Sequence, residues 1–143
     1  MSSPTSPNPR LPAVIGRTDQ MFPRLTAAQI ARIAVHGRVR SVQQNEVLVE
    51  QGDRTVPFFV VTAGELEVVR PQGTKETMVT VHQPGDFTGE VNMISGRRAL
   101  NRIRVRQPGE VIELDREHLL ALVQTDAELG EIIMRAFILR RVN

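Results

Sequence analysis

The sequence predicts a mainly β domain, a small antiparallel barrel or sandwich, with helices flanking it on both sides. Three observations carry this reading. Short β-branched runs recur from Arg38 to Leu114: Val47 to Val49, Phe58 to Val61, Leu66 to Val69, Met78 to Val81, Ile103 to Val105 and Val111 to Leu114. Turn signals punctuate them at Gln51-Gly52-Asp53, Ala63-Gly64, Pro71-Gln72-Gly73, Pro84-Gly85-Asp86 and Gln107-Pro108-Gly109. Many short strands at such regular spacing make a closed or two-layered antiparallel fold. A helical period frames this region on either side.

Residues 1–20 are rich in Pro and Ser without helical or strand period, and read as a flexible arm ahead of one domain over residues 21–143. The first helix starts near Leu25. Thr26 and Gln29 have the spacing of a capping box, Leu25, Ile30, Ile33 and Ala34 share a face, and Gly37 is the expected stop. The β region then spans about residues 38–114. Within it Leu66 and Val68 alternate with Glu65 and Glu67, as in a strand with one wet face. Two C-terminal helices follow over about residues 115–142. Asp115 is the expected N-cap of the first and Thr125 or Asp126 of the second, whose apolar stripe is Leu129, Ile132, Ile133, Ala136, Phe137 and Leu139 or Arg140. Arg135, Arg140 and Arg141 suit the negative end of its dipole. That stripe runs to the chain end without a stop, as in a helix that continues or pairs with a partner.

At 143 residues the chain holds enough apolar side chain, 41%, for one core. The absence of Cys removes disulfides, thiolate metal sites and Cys nucleophiles. His36, His82 and His118 lie far apart, so a metal-dependent enzyme of the cupin type lacks its clustered ligands. A net charge of +2, from 18 basic and 16 acidic side chains, is too small a bias to indicate DNA. No apolar run approaches the roughly 20 residues of a membrane span, and no signal segment opens the chain, so the expected location is the cytoplasm.

The stretch Gly85 to Val105, GDFTGEVNMISGRRALNRIRV, carries the chemistry. Gly89 allows close backbone approach. Glu90 to Ile94 make about one helical turn, whose free N–H groups favour an anion. Arg97 or Arg98, in the loop that follows, can grip two phosphate oxygens as a planar fork. Glu90 would repel a phosphate but accepts a hydrogen bond from a sugar hydroxyl. The residues point to a phosphate carried on a ribose.

Four motifs in order resemble the cyclic nucleotide-binding domain family, of the catabolite activator and protein kinase regulatory subunit type. They are Val49-Glu50-Gln51-Gly52-Asp53, the run Phe58-Phe59-Val60-Val61-Thr62-Ala63-Gly64-Glu65-Leu66, Pro84-Gly85-Asp86 with Gly89-Glu90, and Arg98-Ala99. The resemblance covers Leu25 to Phe137. It implies an eight-stranded antiparallel β-roll (jelly roll) with an internal phosphate-binding helix, one N-terminal helix and two C-terminal helices. It also implies that Glu90 takes the ribose 2′-hydroxyl and Arg98 the cyclic phosphate, with Gly89 and the backbone of Val91 and Asn92 as further donors and Ala99 closing the cassette. Phe59, Val61, Met78 and Val79 become walls for the base, and the last helix its lid. The cassette is one residue shorter than the usual pattern, which leaves Arg97 as the alternative to Arg98. Leu100-Asn101 after Ala99 brings no hydroxyl for guanine, which favours cAMP over cGMP.

The implied function is a regulatory module without catalytic residues or cofactor. It binds a cyclic nucleotide and signals through its C-terminal helices to an effector in cis or to a partner protein, with a homodimer as a further arrangement. The tract Thr88 to Met93 and the ending Met134 to Arg141 also resemble bacterial fusions in which such a domain precedes a thioredoxin-reductase-like flavoenzyme. The competing expectation is a domain with the same fold that binds no nucleotide and serves for docking or dimerisation.

Overall fold

A computed structural model describes residues 21–141, so the expected arm at 1–20 lies outside the described residues. In chain order these form α1 (Ala27–Ala34), β1 (Arg38–Val42), β2 (Val47–Val49), β3 (Phe58–Gln72), β4 (Lys75–His82), β5 (Phe87–Thr88), α2 (Glu90–Ser95), β6 (Arg102–Leu114), α3 (Arg116–Thr125) and α4 (Ala127–Arg141). The fold is mainly β with flanking helices, as expected. All pairings are antiparallel, in the order β1-β6-β3-β4, with β2 on β6 and β5 on β3.

Six strands replace the expected eight because two of the turn signals lie inside continuous strands. Ala63-Gly64 and Gln107-Pro108-Gly109 bend β3 and β6 where those strands pair, and the register slips at Val61/Ala63, Ala63/Glu65 and Glu65/Leu66. A Cβ on Gly64 would meet the Gln107 carbonyl at 2.5 Å, and one on Gly109 the Ala63 carbonyl at 2.0 Å. Both glycines serve a close crossing of two backbones, which curls the sheet into a roll.

Strand alternation divides the core in two. Phe58, Val60, Ile112 and Leu114 face the helices and pack with Leu25, Ile33, Phe87, Leu119, Leu122, Leu129 and Ile133. Phe59, Val61 and Val111 point the other way, into the roll, with Val42, Val49, Leu66, Val68, Ile103 and Val105. The consecutive apolar run Phe58–Val61 is therefore buried on both faces.

The helix ends follow local chemistry. The capping box of α1 is complete, Thr26 and Gln29 each accepting from the other's backbone N–H. Asp115 caps α3 through the His118 N–H, and Asp126 rather than Thr125 accepts from Leu129 at the start of α4. Gly37 does not end α1, which stops at the αR C-cap Val35; a Cβ at Gly37 would strike the Leu114 side chain at 2.5 Å.

Candidate functional site

The cassette begins where β5 turns into α2. Gly89 adopts φ +99°, the left-handed region, and a Cβ there would meet the Pro57 carbonyl at 2.2 Å. Its glycine is demanded by packing against the β3 entry and by the turn rather than by approach to a ligand. The tight turn directs the next side chain, Glu90, inward, where it is 1% exposed.

Arg140 of α4 meets Glu90 there, Nη1 to Oε1 2.6 Å. The same guanidinium donates to the Phe87 carbonyl at 2.9 Å and to the Met21 carbonyl at 2.7 Å. Its Cζ lies over two rings, 4.7 Å from the centre of Phe87 and 4.9 Å from that of Phe22. Burial pushes the Glu90 carboxyl above the usual range, opposed by Arg140 and by the backbone N–H groups of Glu90 and Val91. The carboxylate is therefore partnered within the protein by a residue of α4.

Arg97 and Arg98 sit in the exposed loop after α2. The Asn92 side chain holds that loop by donating to the Arg98 carbonyl at 3.0 Å, and the Gly52-Asp53 turn clamps Ala99 through two backbone bonds of 2.7 and 2.9 Å. The Arg116 guanidinium supports α2 from α3 by donating to the Met93 carbonyl. Neither Arg97 nor Arg98 has a side-chain partner among the described residues. The strand arginines differ: Arg40 pairs with Glu46 and Glu113, and Arg102 and Arg104 share Glu76 while reaching Glu50 and Glu67. These strand cations are neutralised across the sheet, whereas the two cassette-loop arginines are not.

A cavity of about 520 Å³ joins these groups. Gly89, Glu90, Val91, Asn92, Arg97, Arg98 and Ala99 all line it, together with Val79. Three expected wall residues do not. Phe59 and Val61 are wholly buried in the roll core, because the strand period turns them inward between Val49 and Val111. Met78 is half exposed and lies past the bulge at Val68/Val69, where the β3–β4 register slips. The cavity wall is built instead from Val49, Val56, Val68, Thr80, His82 and Ile103, with Arg70, Leu100 and Asn101 nearer the rim.

Sequence reasoning missed Arg140 and His82. A signal for Arg140 was present: Ile133, Ala136, Phe137 and Arg140 repeat at i, i+3, i+4 and i+7, so the cation falls on the buried stripe. A charge placed there needs a buried acid. For His82 the signal was weaker, a ring nitrogen at the inward position of a strand just before a turn.

Comparisons with known proteins identify the family. A family model described as "Cyclic nucleotide-binding domain" matches residues 39–126, more than half of the chain. The chain is 31% identical over 75 residues, 52% of its length, to the cAMP-dependent protein kinase regulatory subunit of Mycosarcoma maydis, of which it covers 14%. It is 27% identical over 93 residues, 65% of its length, to the potassium channel AKT1 of Oryza sativa subsp. indica, of which it covers 10%. The chain thus spans only a small part of these curated relatives. A solved structure from a cyclic-GMP-dependent signalling pathway that regulates bacterial phytopathogenesis superposes with a TM-score of 0.71 at 25% identity, covering 84% of this chain and 96% of that one. No helix among the described residues is long and apolar enough to cross a membrane. With the roll, the short helix at its mouth and the buried Glu90 in place, the chain belongs to the cyclic nucleotide-binding domain family.

Proposed function

We propose that this domain is a sensor for a cyclic nucleotide, with cAMP preferred, and that it passes binding on through α4. One observation carries this reading. Glu90, buried, and the unpaired Arg97 and Arg98 line the same cavity, so a hydroxyl acceptor and phosphate-binding cations face one ligand-sized space. The phosphate is held by Arg98, with Arg97 beside it and the N–H group of Asn92 beneath. The ribose 2′-hydroxyl donates to Glu90. The preference for cAMP rests on Leu100 and Asn101, which bring no hydroxyl to the rim; Asn101 instead accepts from Arg70 at 3.1 Å.

Arg140 supplies the link to an effector. It ties α4 to the ribose carboxylate, to the end of β5 and to Met21 at once. A sugar hydroxyl arriving at Glu90 changes what Arg140 meets, and the helix position follows. The free energy available to the effector is the difference in ligand affinity between the two helix positions. The effector lies in cis or on a partner protein, and a thioredoxin-reductase-like flavoenzyme is the one that the sequence resemblance brings forward.

The same Arg140–Glu90 pair favours a second reading, a docking domain in which the arginine permanently fills the ribose contact. Calorimetric titration with cAMP, cGMP and a cyclic dinucleotide, followed by thermal melting, separates the two. A sensor is stabilised by about 2.7 kcal/mol at ligand one hundred times above Kd. No heat and no melting shift at millimolar ligand would favour docking.

A further inference from the structure

The buried polar side chain that the ion pair leaves out is His82. It is 3% exposed, at the C-terminal end of β4. The β3–β4 register places it opposite Leu66 and places Thr80 opposite Val68. Leu66 and Val68 belong to the apolar interior of the roll. Thr80 and His82 therefore share the inner face of the strand, and both line the cavity. No hydrogen-bond partner for the imidazole exists among the described residues. A buried polar group left without one costs about 1–3 kcal/mol, so such a group calls for an explanation.

The order of groups in the cavity supplies one. A cyclic nucleotide is phosphate, ribose and base in sequence. With the phosphate at Arg97 and Arg98 and the ribose at Glu90, the β3–β4 wall of Val68, Thr80 and His82 is left to the base. Desolvation, and then the positive charge of Arg140, push the imidazole down to about 4. At neutral pH the ring is uncharged and offers one N–H donor and one bare nitrogen acceptor. The polar edge of a purine presents donors and acceptors side by side, and a neutral imidazole can answer either.

We infer that His82 hydrogen-bonds the base of the bound nucleotide, and that its lack of a partner among the described residues is the cost of that recognition. His82 is thus a base-contacting residue. Its role rests on the cyclic-nucleotide reading of the site.

The test is calorimetric titration of this chain and of His82→Leu with cAMP, cGMP and 2′-deoxy-cAMP, with melting curves of the unliganded proteins. Expected are binding by the unsubstituted chain and a loss of about five- to hundredfold in His82→Leu. The unliganded His82→Leu should melt no lower than the parent, because an orphaned polar group has been removed. The penalty should be as large on 2′-deoxy-cAMP as on cAMP, which separates a base contact from a sugar contact. Equal affinity in the parent and His82→Leu overturns the role of His82 alone. A penalty that vanishes on 2′-deoxy-cAMP overturns the assignment to the base. Binding of no cyclic nucleotide by the parent overturns the functional reading, and the role of His82 with it. Should His82→Leu fold poorly, ¹⁵N-histidine spectra of the unsubstituted chain decide: one buried, neutral imidazole should shift on saturation with ligand, and a still resonance overturns the contact.

Discussion

Arg140, near the C-terminal end of the last helix, donates to the buried carboxylate of Glu90 at 2.6 Å across 50 residues of sequence. This pair joins the cavity to the last described helix. Its energetics are asymmetric. A buried ion pair adds little net stability over a well-packed apolar replacement, but removal of one partner strands the other.

Arg140→Ala should therefore destabilise the unliganded domain by about 3–5 kcal/mol in urea denaturation. Adding Glu90→Gln to that variant should recover part of the loss, because the stranded charge is gone. Equal losses in the single and double variants would show that Arg140 acts through its contacts with Phe22, Phe87 and the two carbonyls instead.

Arg98→Ala should weaken cAMP binding by about ten- to hundredfold, the range for a lost hydrogen bond to a charged group. Arg97→Ala should weaken it less. Both side chains are exposed and unpaired among the described residues, so neither change should move the melting temperature appreciably. Titration of the two variants side by side decides which arginine holds the phosphate.

Acid should unfold the protein partly through His82. Its folded value is lowered from 6.5 to about 4, so the stability it contributes is complete above pH 6.5 and is lost as pH falls through about 4. That shift corresponds to roughly 3 kcal/mol. Glu90 runs the other way, since its raised carboxyl favours the fold as it takes up a proton. His82→Leu has no imidazole to protonate, so its stability relative to the parent should rise as pH falls from 7 to 4, and that widening gap isolates the histidine.

Two left-handed glycines should respond differently to alanine. At Gly52, φ +93° with open space around the new Cβ, the cost is the backbone strain alone, about 1–2 kcal/mol. At Gly89 the new Cβ meets the Pro57 carbonyl at 2.2 Å, so the loss should be clearly larger. Melting curves of Gly52→Ala and Gly89→Ala compare them directly.

Much of this was legible in the chain. The capping box at Thr26 and Gln29, the Asp115 cap, the Phe58–Val61 strand and the short helix from Glu90 depend on neighbouring residues, and local chemistry decides them. The paired bends at Gly64 and Gly109 were not legible as bends. A glycine in a turn and a glycine under a crossing strand look alike until the partner backbone is known.

By itself the sequence determined the class of fold and the family, because period, turn chemistry and motif spacing are properties of contiguous residues. Only the tertiary structure decided that Arg140 covers Glu90, that His82 faces the cavity without a partner among the described residues, and that Phe59 and Val61 serve the core instead of the cavity wall. Those facts depend on register and on helix packing over long separations. A shift of one residue in a strand reverses which side chains face inward, and no local pattern records where a distant helix will dock.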